Sequence, residues 1–369
     1  MRDGEESMAW ASRSAEERRR HLGEFLAVTP TMEEAMGVLR RCYRAWHEGP
    51  QASCSFVVGE TGVGKTTAAD EFLEEVRGEY LGTLKDDHNL LLADAAEYPH
   101  TMSVTFERPG HGLVRPVLKV FVDKKATFKQ LFAATLTAIG VRIPRGASLA
   151  EMTSIARHQI REQGIRLIIF DECQHITESN LTRDPYEAAD VFKVLMKEAR
   201  VQVACVGLPH ATDFLLENAQ LETLKDEEFR MMPFALDLDE RGEYRMFLKA
   251  YSDDLPFDEP SHLDESATAL RLHMASEGYV AAITKYVSLA AKEAIDRGKE
   301  AVTVPLLAEV YRRKTGTPDG ENPFLIPLPD PDGFRARRQG RRQEKLAEAR
   351  KNRAPRKAKP GKSPLRHGA

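Results

Sequence analysis

Between Phe56 and Thr67 the chain reads Phe-Val-Val-Gly-Glu-Thr-Gly-Val-Gly-Lys-Thr-Thr, and this stretch restricts its fold more than any other. It fits G-x-x-x-x-G-K-[ST], with Gly59, Gly64, Lys65 and Thr66 at the fixed positions. An apolar run, Ser55 to Val58, leads in, and a helical pattern, Thr67 to Val76, leads out. That is the strand–loop–helix setting the motif requires. Glycines let the loop turn tightly enough for successive N–H groups to point at phosphate oxygens. The helix N-terminus adds a partial positive charge. The candidate phosphate cradle is Gly59, Glu60, Thr61, Gly62, Val63, Gly64, Lys65, Thr66 and Thr67. In it Lys65 is expected to reach the β- and γ-phosphates and the Thr66 hydroxyl to ligate Mg²⁺.

With 369 residues, 42% of them apolar and 30% charged, the chain can build a sizeable core under a well-charged surface. No apolar run approaches the ~18 residues of a membrane span. The stretch Met1-Arg2-Asp3-Gly4-Glu5-Glu6 lacks the apolar character of a secretory signal, so the expectation is a cytoplasmic protein without a membrane role. Cys42, Cys54, Cys173 and Cys205 form no C-x-x-C pair and no zinc-spaced cluster, and read as small core residues in a reducing compartment. The overall charge of −4 hides an asymmetry. Phe334 to Ala369 holds 14 Lys and Arg against 2 Asp and Glu, a net +12 that leaves the preceding body at −16.

Downstream, strands alternate with helices, which implies a parallel sheet covered on both faces. Thr31-Met32-Glu33-Glu34 reads as a capping box for a helix carrying Met36, Leu39, Tyr43 and Trp46. The region 78–112 carries no clear pattern. Pro116–Val122 reads as a strand, and Thr127–Ile139 and Leu149–Gln163 read as helices. Arg166-Leu167-Ile168-Ile169-Phe170-Asp171-Glu172 is a continuous apolar run ending in two acids, the pattern of a buried parallel strand whose C-terminal end meets a ligand. There Asp171 is expected to hold Mg²⁺ and Glu172 to polarise an attacking water. Tyr186–Ala199 reads as a helix, Val201–Gly207 as another buried strand, Asp213–Leu224 as a helix and Pro233–Leu238 as a short strand. From Glu240 onward the pattern is helical, in four segments. The expected organisation is an N-terminal arm (1–29), a nucleotide-binding α/β domain (30–238), a helical lid (239–315), a Pro-rich extended linker (316–333) and a basic disordered tail (334–369).

Three segments carry a family resemblance: Gly59 to Thr66; Asp171-Glu172 followed by Gln174-His175; and Phe192 to Ala199 leading into Val203-Ala204-Cys205-Val206-Gly207-Leu208-Pro209. Over about Ala27 to Arg313 the chain resembles the TniB/TnsC group of AAA+ ATPases of transposition. The resemblance implies an AAA+ P-loop fold, hydrolysis of ATP with Mg²⁺, and binding to double-stranded DNA. It also implies self-association as rings or helical filaments, and recruitment of a transposase and a TniQ-like target-site factor. Lys65, Thr66, Asp171 and Glu172 match the family cleanly, and Arg230 falls where the family places an Arg before the strand that leads into the lid, a candidate finger for a neighbour's site or else a surface or interface arginine, with Arg241 and Arg245 as fallbacks. Two departures stand out. Gly207-Leu208-Pro209 offers no polar γ-phosphate sensor beyond His210, and Gly278-Tyr279-Val280-Ala281 lacks the lid's sensing arginine, leaving Lys285 one turn on. Both suit a slow switch.

His175 is read either as a relay from the nucleotide to DNA or as a strand-end residue held by a hydrogen bond. For DNA contact the candidates are Lys119, Lys124, Lys125, Lys129, Arg142 and Arg145, or the basic tail, whose charge would bind without sequence preference. Two other readings share the same nucleotide site: an ATPase for replication initiation, helicase loading or partner remodelling in a defence system, and a nucleotide-binding scaffold without turnover.

Overall fold

A computed structural model describes residues 10–48, 52–84, 91–92, 103–108, 110, 112–124, 128–175, 196, 198–212, 222–328 and scattered positions up to 343. Seven strands form one sheet: β1 Cys54–Gly59, β2 Leu91–Leu92, β3 Ser103–Arg108, β4 Gly112–Phe121, β5 Leu167–Asp171, β6 Gln202–Gly207 and β7 Lys225–Met231. Their order across the sheet is β2-β3-β4-β5-β6-β1-β7. The five strands from β4 to β7 run parallel, and β2 and β3 add an antiparallel edge built from the region that shows no pattern in the sequence.

β5 and β6 are buried along their whole length, as continuous apolar runs predict. Alternate side chains fill two cores. Phe56, Val58, Leu118, Ile168, Phe170 and Cys205 meet helices α4 (Phe128–Ile139) and α5 (Leu149–Glu162). Val57, Val117, Leu167, Ile169 and Val206 meet α2 (Pro30–Glu48) and α3 (Lys65–Leu84). The Ser148–Glu151 capping box that starts α5 is formed in both directions. α2 does not start on the expected box. Its first turn is held by Thr29, whose carbonyl accepts from Glu33 N, while Thr31 gives both its backbone N–H and its hydroxyl to Glu243 at 2.8 Å each. The expected helices 186–199 and 213–224 lie largely outside the described residues.

Charged residues move the last strand. β7 is Lys225–Met231, an edge strand whose side chains alternate between half-buried and exposed, so Arg230 lies inside a strand. The expected strand at Pro233–Leu238 is instead the connection to the lid, and there Phe234 N bonds to Gly278 O at 2.9 Å. The lid consists of α6 (Glu243–Asp254), α7 (Ser266–Ser276), α8 (Val280–Asp296) and α9 (Val304–Thr315), with its own core around Tyr244, Leu248, Leu272, Val287 and Leu307.

Both segments flanking these domains are packed more firmly than the sequence suggests. In the arm, α1 (Ala15–His21) is capped by Ser14, and Trp10 N and Ala11 N bond to the Asp258 carboxylate at 2.7 and 2.8 Å. Arg19 pairs with Asp296, Leu22 enters the lid core, and Phe25 stacks on Tyr251 at 4.1 Å. Beyond α9 the Pro-rich stretch folds back on the lid. Asn322 is fully buried, donating to Ala308 O at 2.9 Å and accepting from Phe324 N at 3.1 Å, with the Phe324 ring in the lid core. Phe334 is buried as well; the rest of the expected tail lies mostly outside the described residues.

Two outcomes follow. Asn322→Ala strands the backbone groups it satisfies, and urea melts are expected to show a loss of about 1–3 kcal/mol. All four cysteines are buried, and burial pushes the Cys42 thiol up to about 12. None is expected to react with a thiol-specific chromogenic disulfide in native protein at pH 8, and all four should react after denaturation.

Candidate nucleotide-binding cleft

The phosphate loop forms where β1 ends and α3 begins. Gly64 takes φ +103°, a conformation that excludes most side chains. Lys65 folds over the loop, its Nζ donating to the carbonyls of Gly59 and Glu60 at 2.9 Å each. Burial pulls its ammonium below the usual lysine range, against the pull of Glu172 and Asp171. A phosphate oxygen can replace those two carbonyls and restore a full charge partner.

β6 separates β1 from β5, which sets the acidic pair opposite the loop. Thr66 Oγ1 lies 3.5 Å from Asp171 Oδ1. One hydroxyl and one carboxylate are hard oxygen donors, and the set fits Mg²⁺, which takes its remaining ligands from phosphate and water. Burial raises the Asp171 carboxyl, opposed chiefly by the Lys119 charge. Lys119 Nζ sits 3.4 Å from Asp171 Oδ2 and also pairs with Asp70 of α3. The sequence reading of Lys119 as a DNA contact is therefore corrected: the residue is 8% exposed and committed to the two carboxylates. Among the other DNA candidates, Lys124, Arg142 and Arg145 are exposed, and Lys125 and the Lys129 side chain lie outside the described residues.

At Glu172 the chain turns sharply. Its φ of +59° is a left-handed conformation that costs a non-glycine residue of order 1–3 kcal/mol. The turn is held by Glu172 N bonding to Asp171 Oδ1 at 3.0 Å, by His175 N bonding to Glu172 O at 3.0 Å, and by the Gln174 amide on the Glu172 carboxylate. The His175 backbone thus helps hold the strand end. His210 stands exposed on the turn Pro209–Thr212.

A cavity of about 550 Å³ opens above the loop. Thr61–Thr67 and Glu172 form its floor, Met231, Met232 and Phe234 one side, and Val280, Ala281, Thr284, Lys285 and Ser288 of α8 the roof. Ala281 N bonds directly to Gly62 O at 3.0 Å. The arm supplies another wall, Leu22, Gly23, Phe25, Leu26 and Ala27, together with Thr29, Thr31 and Met32, and Phe247 and Tyr251 of the lid complete it. Sequence reasoning missed that wall because the arm shows no apolar periodicity. The single-turn offset that leaves Lys285 in the arginine's place does carry it to the cleft.

Arg230 does not line its own cleft; it is exposed on β7, the edge strand of the sheet among the described residues. Of the fallbacks, Arg245 is tied to the carbonyls of Leu238 and Asp264 at 2.9 and 2.8 Å and belongs to the lid scaffold, while Arg241 is exposed.

Fold and cleft together are those of the AAA+ P-loop class. A family model described as Bacterial TniB protein matches residues 95–229, so the TniB-type resemblance is found over the segment from β3 through most of β7, beyond the phosphate loop. No curated protein matches the chain in sequence. Among solved structures, the chain is similar to the Aeropyrum pernix ORC2 protein in its ADPNP-ADP complexes, at 16% identity and a TM-score of 0.57 over 81% of this chain and 72% of that one. It is also similar to the Aeropyrum pernix ORC1 protein in complex with DNA, at 18% and 0.52 over 80% and 69%. A third is Cdc6p from Pyrobaculum aerophilum, at 14% and 0.51 over 79% and 72%. At these identities the likeness is one of fold. Among the described residues no helix is long and apolar enough to cross a membrane.

Lys119→Met leaves Asp70 and Asp171 facing each other without their shared cation. It is expected to cost about 3–5 kcal/mol in chemical denaturation, whereas Lys124→Met at the exposed loop should change stability by less than about 0.5 kcal/mol.

Proposed function

We propose that this chain is a slow ATP-hydrolysing switch that assembles on double-stranded DNA as a ring or helical filament. In the assembled state it recruits a transposase and a TniQ-like target-site factor. The observation that carries this reading is the position of Arg230: outside its own cleft, exposed on the edge strand of the sheet, in a chain whose middle matches the TniB family. A finger in that place is useful only to a neighbouring copy.

Within one subunit the loop backbone and Lys65 bind the triphosphate, and the arm and lid enclose the rest of the nucleotide. Thr66 and Asp171 would hold Mg²⁺, which when bound neutralises charge on the β- and γ-phosphates. Glu172 orients and polarises the attacking water. Arg230 of an adjacent subunit stabilises the charge on the transferring phosphoryl group. Because both usual sensor positions lack their polar residue, turnover is slow, and bound ATP holds the assembled state. DNA contact falls to Lys124, Lys125, Lys129, Arg142, Arg145 and the basic tail, small contributions that add up along a polymer of subunits.

Electron microscopy of the protein with duplex DNA, with and without a slowly hydrolysed ATP analogue, tests assembly. Filaments or rings that need both DNA and nucleotide are expected; discrete particles indifferent to DNA would point to a protein-remodelling ATPase instead. Arg230→Ala is expected to keep nucleotide binding and lose hydrolysis by about 10²-fold. Mixing it with the loop variant Lys65→Ala should recover part of the activity, since mixed contacts pair an intact loop with an intact finger. Mixtures no more active than their components would remove Arg230 from this role.

A further inference from the structure

The end of β6 carries no polar side chain, yet it is not without a polar group. Gln174, 2% exposed, reaches across from the turn after β5 and occupies that place. Its Oε1 accepts from Leu208 N at 3.1 Å, the first residue beyond β6, and its Nε2 donates to Glu172 Oε2. The two partners dictate the amide's orientation: a backbone N–H can only donate and a carboxylate only accept. Of the uncharged side chains of this length, glutamine alone offers one acceptor and one donor at the same end.

The fit also explains Gly207. A Cβ at that position would lie 2.6 Å from Gln174 Oε1 and 2.9 Å from Cys173 Sγ. A side chain on β6 and the Gln174 amide therefore exclude each other, and this chain keeps the amide. The backbone is stitched in the same place, with Cys173 N bonded to Val206 O at 3.0 Å. Glu172 itself is in a left-handed conformation, so its carboxylate has no regular strand geometry to aim it. The amide supplies the aim.

We propose that Gln174 is a positioning residue for hydrolysis: it fixes the Glu172 carboxylate and couples it to the end of β6, in place of a polar side chain on that strand. The proposal rests on the reading of Glu172 as the group that orients the attacking water. Gln174 acts through Glu172 and touches no reacting atom. A displacement of the β6 end moves Leu208 N, and through the amide it moves the carboxylate; an ångström of misplacement at such a group is enough to slow chemistry strongly.

Two variants separate the contributions. Gln174→Met keeps length and apolar bulk but removes both hydrogen bonds. Gln174→Glu keeps an acceptor for Leu208 N but removes the donor to Glu172 and faces it with a like charge. In ATP hydrolysis assays with DNA present, both are expected to lower kcat by about tenfold or more. KM and the affinity for a fluorescent ATP analogue should stay within about threefold, because neither bond reaches the phosphate cradle. In a Glu172→Gln background, Gln174→Met should lower residual turnover no further. A Gln174→Met protein with wild-type kcat, beside an inactive Glu172→Gln, would overturn this proposal alone. Wild-type turnover in Glu172→Gln would overturn the catalytic reading as well. Loss of analogue binding in both Gln174 variants would reassign the residue to holding the cleft together and also overturn the proposal.

Discussion

An ammonium group taken out of water must be matched by carboxylates, and the Lys119 ammonium is matched by two from different elements. Asp70 belongs to the helix that starts at the phosphate loop, and Asp171 ends the strand that faces it. The buried charge therefore pins α3, β4 and β5 to one another directly beneath the cleft. Two oxygen donors suited to a divalent cation, Thr66 and Asp171, ride on two of those three elements. A buried ion pair of this kind adds little net stability over a well-packed apolar substitute, but it fixes geometry, because any shift leaves a charge unpaired. The lysine also occupies Oδ2 of Asp171, so a divalent cation at that site would have to share the carboxylate with it.

The remaining architecture closes over that junction. Two layers of helices shield the sheet, and a separate four-helix unit with its own aromatic core lies across the loop, joined to it by the Ala281–Gly62 backbone bond. The Phe234 peptide is gripped by that unit on both sides: its N–H bonds to Gly278 O and its carbonyl to His273 Nε2 at 2.9 Å. The connection between the two bodies is thus a clamped peptide rather than a free linker.

Much of this was legible in the residues because its determinants are local. The phosphate loop is a contiguous motif, and β5 announces itself by an unbroken apolar run ending in Asp171-Glu172. What stayed hidden depends on neighbours distant in sequence. Lys119 on a strand looks like surface charge until β5 and α3 are set beside it. β7, Lys-Asp-Glu-Glu-Phe-Arg-Met, does not read as a strand because an edge strand tolerates polar residues on its open side. Pro233–Leu238 looks like a strand by composition, yet its partners are in the lid. The prolines after residue 316 suggest an extended linker, but the side chains of Asn322 and Phe324 overrule them by finding buried partners. Gln174 belongs to a segment that marks the family, but its contacts cannot be read from the motif; they arise where the β5 and β6 ends meet.

The arm has a mechanical consequence. Its hydrogen bonds and ion pairs run to Asp254, Pro256, Asp258 and Asp296, all on the far helical body, while Leu22, Gly23, Phe25, Leu26 and Ala27 line the cleft. Among the described residues it joins the sheet domain where Thr29 starts α2. One wall of the nucleotide chamber is therefore cargo of the helical body. A rotation of that body would carry roof and side wall together, away from the phosphate floor. The width of the chamber and the angle between the two bodies are therefore geometrically one coordinate, and the N-terminal segment is attached to its moving side.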